Sequence, residues 1–188
     1  MSGGSGRIRI IAGRLRGSRI DVPAREGLRP TPDRVRETLF NWLAPYLEGA
    51  RVLDLFAGTG ALGIEALSRG AGEVDFVERE RALSEALRAT LARLKQTAVV
   101  HPMPAEQFLA SARTPYAVVF LDPPYAADLW TIVARRLEDG GFLADGAMVY
   151  VESPRRTVPD LPPAWRLHRE LDAGDVRAAL YRRVAPVG

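Results

Sequence analysis

The chain has 188 residues, 47% hydrophobic and 26% charged, at a formal net charge of +3 at pH 7, which fits one globular domain with a full core and a small appendage. No cysteine is present and the two histidines, His101 and His168, stand apart, which excludes a disulfide framework and a thiolate metal site and gives no basis for zinc. No apolar run nears the ~20 residues that cross a bilayer, and the opening MSGGSG lacks the basic-then-apolar pattern of a secretion signal, so a cytoplasmic protein with no membrane segment and no metal is expected.

In chain order, the opening residues read as a disordered tail. Residues 7–12, RIRIIA, and 18–22, SRIDV, flank Gly13-Arg14-Leu15-Arg16-Gly17 and read as a β-hairpin with a basic tip. Of the 26 cationic residues 25 are arginine, and the segment from Arg7 to Arg29 carries seven of them against Asp21 and Glu26. That local excess suggests a polyanion partner, with Arg7, Arg9, Arg14, Arg16 and Arg19 as phosphate contacts that have no compensating acid in their stretch. In LRPTPDRVRETLFNWL, residues 28–43, Pro30 and Pro32 stop any earlier element, and Thr31 or Asp33 is expected to cap a helix. Val35, Leu39, Trp42 and Leu43 form its apolar stripe.

From Arg51 strands and helices alternate. Strands are expected at 51–56, 73–78, 98–101, 116–121 and 147–152, with helices at about 61–69, 80–95, 104–111 and 128–138. Such alternation implies parallel strands covered by helices on both faces. After the proline-rich stretch 153–163, two strand-like runs at 165–171 and 176–184 are joined by Asp172-Ala173-Gly174-Asp175. They read as a terminal hairpin and bring the sheet to seven strands.

The chemistry starts at RVLDLFAGTGALG, residues 51–63. A strand that turns through glycines into a helix gathers free backbone N–H groups and the positive helix end at one place. Gly58, Gly60 and Gly63 fit the dinucleotide pattern G-x-G-x-x-G, with Glu78 20 residues after Gly58. Asp54, a carboxylate within the strand, argues against a pyrophosphate and for a cationic ligand such as the methionine part of S-adenosylmethionine. Glu78, closing the next strand, can accept both hydrogens of a ribose diol. Strand 116–121 ends in Leu121-Asp122-Pro123-Pro124-Tyr125. Two prolines enforce a rigid extended turn. Asp122 and the Pro123 carbonyl then make an acceptor pair for an exocyclic amine, and Tyr125 offers a ring for an unstacked base.

RIIAGRLRG, LRPTPDRVRETLFNWL, DLFAGTGALGIEALSRGA and FLDPPY, in this order, resemble the RsmD family from about Arg7 to Arg183. These are bacterial 16S ribosomal RNA guanine-N2 methyltransferases. The resemblance implies an α/β, Rossmann-like class I S-adenosylmethionine-dependent methyltransferase whose main strands lie in the order 3-2-1-4-5-7-6. It divides the chain into a tail and basic hairpin, 1–27, and a methyltransferase domain, 28–188. The expected cofactor contacts are Asp54, Phe56, Ala57, Gly58, Thr59, Gly60, Glu78, Arg79, Ala105, Glu106, Thr31, Arg34 and Asp122, and the expected catalytic turn is Asp122, Pro123, Pro124 and Tyr125. Tyr125 stands where the family usually has Phe, and Pro104-Ala105-Glu106 stands where it often has Asp or Asn. The implied partner is 16S rRNA in an assembled or assembling 30S subunit. Two other readings stay open at this point: amino-methylation of adenine in DNA or another RNA, and an inactive RNA-binding module on the same scaffold.

Overall fold

The structure, a computed structural model, describes residues 6–24, 31–111 and 114–185. Of the expected tail MSGGSG, residues 1–5 lie outside the described residues, together with Arg25, Glu26, Arg29 and Pro30, whereas Gly6 opens the first strand. Strands β1 (Gly6–Arg9) and β2 (Arg19–Val22) pair antiparallel with Ile8 opposite Ile20. Their alternation turns Ile8, Ile20 and Val22 inward and the arginines outward. With Ile10 these side chains join the main core. Each such burial is worth about 1.5–3 kcal/mol, so the hairpin is fastened to the body of the protein.

Helix α1 (Asp33–Leu47) begins after Pro32, without a side-chain cap. The expected cap is thus corrected: the Thr31 hydroxyl donates instead to Glu152 Oε2 at 3.0 Å, a carboxylate 121 residues away. Val35, Leu39 and Leu43 are buried as the stripe requires, whereas Trp42 is half-buried and Arg36 and Phe40 take the deep positions. The helix also outlasts its expected end, running through Pro45 to bury Leu47.

The remaining elements are β3 (Arg51–Asp54), α2 (Ala61–Ser68), β4 (Glu73–Val77), α3 (Arg81–Arg93), β5 (Val99–His101), α4 (Ala105–Phe108), β6 (Tyr116–Leu121), α5 (Trp130–Asp139), β7 (Leu143–Pro154), β8 (Trp165–Ala173) and β9 (Val176–Arg183). Their order across the sheet is β5-β4-β3-β6-β7-β9-β8. Counted from β3, this is the order the family resemblance implies. The first five strands are mutually parallel, and β9 pairs antiparallel with both β7 and β8. β7 is longer than expected at both ends, and a register shift opposite Tyr116 and Val118 absorbs its early start.

The pleat splits the apolar residues into two cores. Val52, Val118, Phe120, Met148 and Tyr150 face the hairpin and the helices α1, α2 and α3, while Leu53, Val119, Leu121, Val149 and Val151 face α4 and α5. The chain runs outward from β3 through β4 to β5, then returns to place β6 on the other side of β3. That reversal makes the carboxyl ends of β3 and β6 the point where the strand order switches, which is where ligands of open α/β sheets bind. Among the described residues no helix is long and apolar enough to cross a membrane.

Candidate active site

β3 ends on Asp54, which is 2% exposed. Its Oδ2 accepts a hydrogen bond from the Gly63 N–H at 3.0 Å. Burial, with the charge of Glu78 adding to it and the Gly63 bond opposing it, pushes the Asp54 carboxyl up to about 7. No cation faces Asp54 within a salt-bridge distance among the described residues. A buried carboxyl in this state gains most from a positively charged ligand.

The turn from β3 into α2 is tight. The Gly60 N–H donates to the Ala57 carbonyl at 2.8 Å, and Gly60, at φ 81°, precedes the first helical residue. Left-handed backbone of this kind favours glycine, and a Cβ there would come within 2.3 Å of Leu87 Cδ1. Glu78, just past β4, is bound to the same loop: its Oε2 accepts the Gly58 N–H at 2.9 Å and its Oε1 the Glu80 N–H at 2.8 Å. The Glu78 N–H donates to the His101 carbonyl at 3.1 Å, which joins the β4 and β5 ends. Asp54, Gly58, Gly60 and Glu78 therefore share one rim, as the sequence suggested. Phe56 and Thr59 are half-buried beside them and Ala57 is buried.

The other expected contacts are placed less uniformly. Arg79 and Arg34 are exposed, Ala105, the first residue of α4, is buried in the core, and Glu106 is half-buried in that helix's first turn. Thr31 is 8% exposed and committed to Glu152.

Asp122 follows the end of β6, within reach of the charges of both Asp54 and Glu152. Burial first, then those two charges, hold its carboxyl well above the usual range. Pro123 is buried and Pro124 exposed, and Tyr125, 38% exposed, opens a single 3-10 turn. The Tyr125 ring lies 5.9 Å from the Trp130 ring. The expected catalytic turn and the cofactor rim thus adjoin across β3 and β6.

Two groups escaped the sequence reading. Glu152, near the end of β7, is 6% exposed. Its Oε2 accepts the hydroxyls of Thr31 and Tyr150 at 3.0 and 2.9 Å, its Oε1 that of Tyr125 at 3.4 Å, and its carbonyl the Trp130 indole N–H at 2.8 Å. Burial pushes both the Glu152 carboxyl and the Tyr150 hydroxyl up. The one available signal was an acid closing an otherwise apolar strand, AMVYVE. The second group is Glu65, a fully buried acid in α2 that accepts the Ile11 and Ala12 N–H groups at 3.0 and 3.1 Å. It also pairs with the buried Arg36 at 3.4 Å and with Arg69 at 2.8 Å.

The basic tip packs on the far end of α2. The Arg14 N–H donates to the Ser68 carbonyl and the Leu15 N–H to Ser68 Oγ. A Cβ on Gly13 would lie 1.9 Å from the Ser68 carbonyl oxygen. Helix α2 has eight residues, so the tip sits about 12 Å from the glycine turn that opens the helix. Of the five arginines expected to meet phosphate, Arg7 is paired with Asp21 at 3.2 Å, which corrects the expectation that none has an acid. The strand pairing sets Asp21 opposite Arg7. Arg9, Arg14, Arg16 and Arg19 are exposed, and Arg14 donates only to the neutral Gln96 side chain among described side chains.

A family model described as Conserved hypothetical protein 95 matches residues 8–182. The chain is 52% identical over 184 residues to Ribosomal RNA small subunit methyltransferase D of Escherichia coli strain K12, covering 97% of this chain and 93% of that protein. It is 40% identical over 182 residues to the protein of the same name in Haemophilus influenzae, covering 94% of each. The solved structure of yhhF from Escherichia coli superposes with a TM-score of 0.89 at 49% identity, covering 96% of this chain and 99% of that one. Likeness of this extent, across hairpin, glycine turn and D-P-P-Y turn alike, means that the chain belongs to the RsmD family.

Proposed function

We propose that this protein transfers a methyl group from S-adenosylmethionine to the 2-amino group of a guanine in 16S ribosomal RNA. The observation that carries it is the junction of two half-sites at the β3 and β6 ends: a buried carboxyl poised for a cation, Asp54, beside an acceptor turn followed by an exposed ring, Asp122 to Tyr125. The names of the relatives supply the substrate class, small-subunit ribosomal RNA.

The donor set fits the cofactor. Asp54 suits its ammonium and sulfonium charges, Glu78 its ribose hydroxyls, and the turn Phe56–Gly60 its close approach. Bound there, the cofactor supplies a methyl group on a positively charged sulfur, open to attack by a nitrogen lone pair. A guanine 2-amino group is a poor nucleophile because its lone pair is spread into the ring. Asp122 and the Pro123 carbonyl accept its two hydrogens and aim the lone pair, and positioning of this kind is a large lever on rate. Methylation would make the nitrogen acidic, and Asp122, already accepting one of its hydrogens, would take that proton while the sulfur leaves as a neutral thioether. An acid held above its ordinary range is suited to that final step.

The four exposed arginines of the hairpin extend the protein's contact with RNA away from the pocket. Reach of that length favours a folded ribosomal particle, the 30S subunit, over a short oligonucleotide, and a monomer acting in the cytoplasm, where such particles assemble, goes with this reading.

The test is mass mapping of methylated nucleosides in 30S particles from a strain lacking this protein, before and after incubation with protein and cofactor. N2-methylguanosine should appear at one position. Asp122→Ala should cut transfer by at least about a hundredfold, while leaving cofactor affinity within a few-fold. Transfer that survives the substitution would reduce Asp122 to a turn residue.

A further inference from the structure

Glu152 has no part in the machinery above, yet it adjoins it. β6 and β7 run parallel with Leu121 opposite Val151, so Asp122 and Glu152 follow at adjoining positions. No cation pairs with Glu152 among the described residues, although it is 6% exposed. A carboxylate is seldom kept from water without one, because its charge must then be compensated by hydrogen bonds. Its two oxygens are unequally served. Among the described residues Oε2 receives the hydroxyls of Thr31 and Tyr150 at 3.0 and 2.9 Å, whereas Oε1 receives only that of Tyr125, at 3.4 Å. An O–H···O bond of that length is weak. An acceptor with unmet capacity therefore sits beside Asp122 and against the ring assigned to the base.

Resting on the proposed transfer to guanine, we propose that Glu152 selects the base, accepting the guanine N1–H while Asp122 and Pro123 hold the 2-amino group. The chemistry of the base edges supports this. Guanine places N1–H next to its 2-amino group, so the two positions are both donors. Adenine and cytosine place a ring nitrogen with a lone pair next to their exocyclic amines. An ionised carboxylate only accepts. Two of them side by side match the guanine edge and repel the other two. Thr31 and Tyr150 saturate Oε2 and leave Oε1 for the base, whose N–H replaces the long Tyr125 bond with a charge-assisted one. Burial pushes both carboxyls up, and the base's donors favour their charged, accepting forms.

The test replaces the target guanine, once mapped, with 2-aminopurine in reconstituted particles. This analogue keeps the 2-amino group but has a lone pair in place of N1–H. For the unaltered protein, kcat/KM on guanine should exceed that on 2-aminopurine by on the order of 100-fold or more. Glu152→Gln keeps an oxygen for the Thr31 and Tyr150 hydroxyls and gains an NH2 that can meet the analogue's lone pair. The ratio should fall at least about tenfold, with absolute transfer to 2-aminopurine rising. Glu152→Ala should shrink the ratio through loss on guanine alone. Calorimetry with S-adenosylhomocysteine should give the same affinity in both variants, which reports an intact fold. An unchanged ratio in either variant overturns the assignment. So does equal loss on both bases at intact affinity in both variants, because that would mark a general scaffold role. Methylation of adenine rather than guanine by the unaltered protein would instead overturn the proposed function itself.

Discussion

Asp54 shows how one residue's environment becomes a measurable property of the site. Burial pushes its folded carboxyl up to about 7, from 3.8 for an ordinary aspartate. In the cofactor-free protein the folded chain thus binds a proton that the unfolded chain has released. Stability therefore falls as pH rises between those two values and levels off above the upper one. Cofactor binding runs the other way, since its positive charges need the ionised form. Between pH 7.5 and 5.5 the Kd should rise on the order of 20-fold, as read by calorimetry in buffers of equal ionic strength. Asp54→Asn keeps an acceptor for the Gly63 N–H, so it should bind weakly at both pH values with nearly equal Kd. A wild-type affinity that does not vary with pH would mean that Asp54 does not meet the cation.

At the scale of elements, the hairpin and α2 act as one piece. The tip is fastened to Ser68 by hydrogen bonds from the Arg14 and Leu15 N–H groups to its carbonyl and hydroxyl, so its arginines are displayed from a fixed platform and not from a loose arm. Arg14 and Arg16 keep their charge without an acidic partner among the described residues, whereas Arg7 is partly neutralised by Asp21. Each phosphate contact lowers log affinity by about 0.7–0.9 per decade of salt. Replacing Arg14 and Arg16 with Gln should reduce the slope for 30S binding by roughly one to two units, and Arg7→Gln by less. Cofactor affinity should stay within about twofold, because the tip lies about a helix length, 12 Å, from the glycine turn. Equal slopes in the double variant and the wild type would leave the tip as a solvated surface.

The whole molecule is joined at Glu65. This one buried carboxylate receives the Ile11 and Ala12 N–H groups of the hairpin, the Arg36 guanidinium of α1 and that of Arg69 beyond α2. Removing one partner of such a group strands the others in a dry interior, which typically costs 3–5 kcal/mol. For a domain of this size, Glu65→Ala should lower Tm by about 6–20 °C. Trypsin should also cut faster at Arg14 and Arg16, since the backbone bonds at Ile11 and Ala12 are lost. A melting temperature within about 2 °C of wild type would show that water fills the place of the carboxylate.

Much of this architecture could be read from neighbouring residues. The alternation of strands and helices, the glycine turn after Asp54 and the rigid turn after Asp122 are written within spans of a dozen residues or fewer. Local backbone sterics and periodicity decide such features without reference to the rest of the chain. The order of the sheet came from the family resemblance, since alternation implies parallel strands but not which of them are neighbours.

Packing alone decided the fate of Thr31, whose hydroxyl left the start of its own helix for a carboxylate 121 positions away. It made Arg36 a buried partner of Glu65, 29 positions on, although a helical arginine ordinarily faces water. It also set Glu152 beside Asp122, when their separation of 30 residues gives no hint of contact. In each case the polar group answers to whatever donor or acceptor the crossovers bring against it, because a buried charge must be satisfied wherever the chain can supply a partner. Residue types and local turns were therefore determined by the sequence alone, and the pairing of buried acids with their donors was determined only when the strands and helices met.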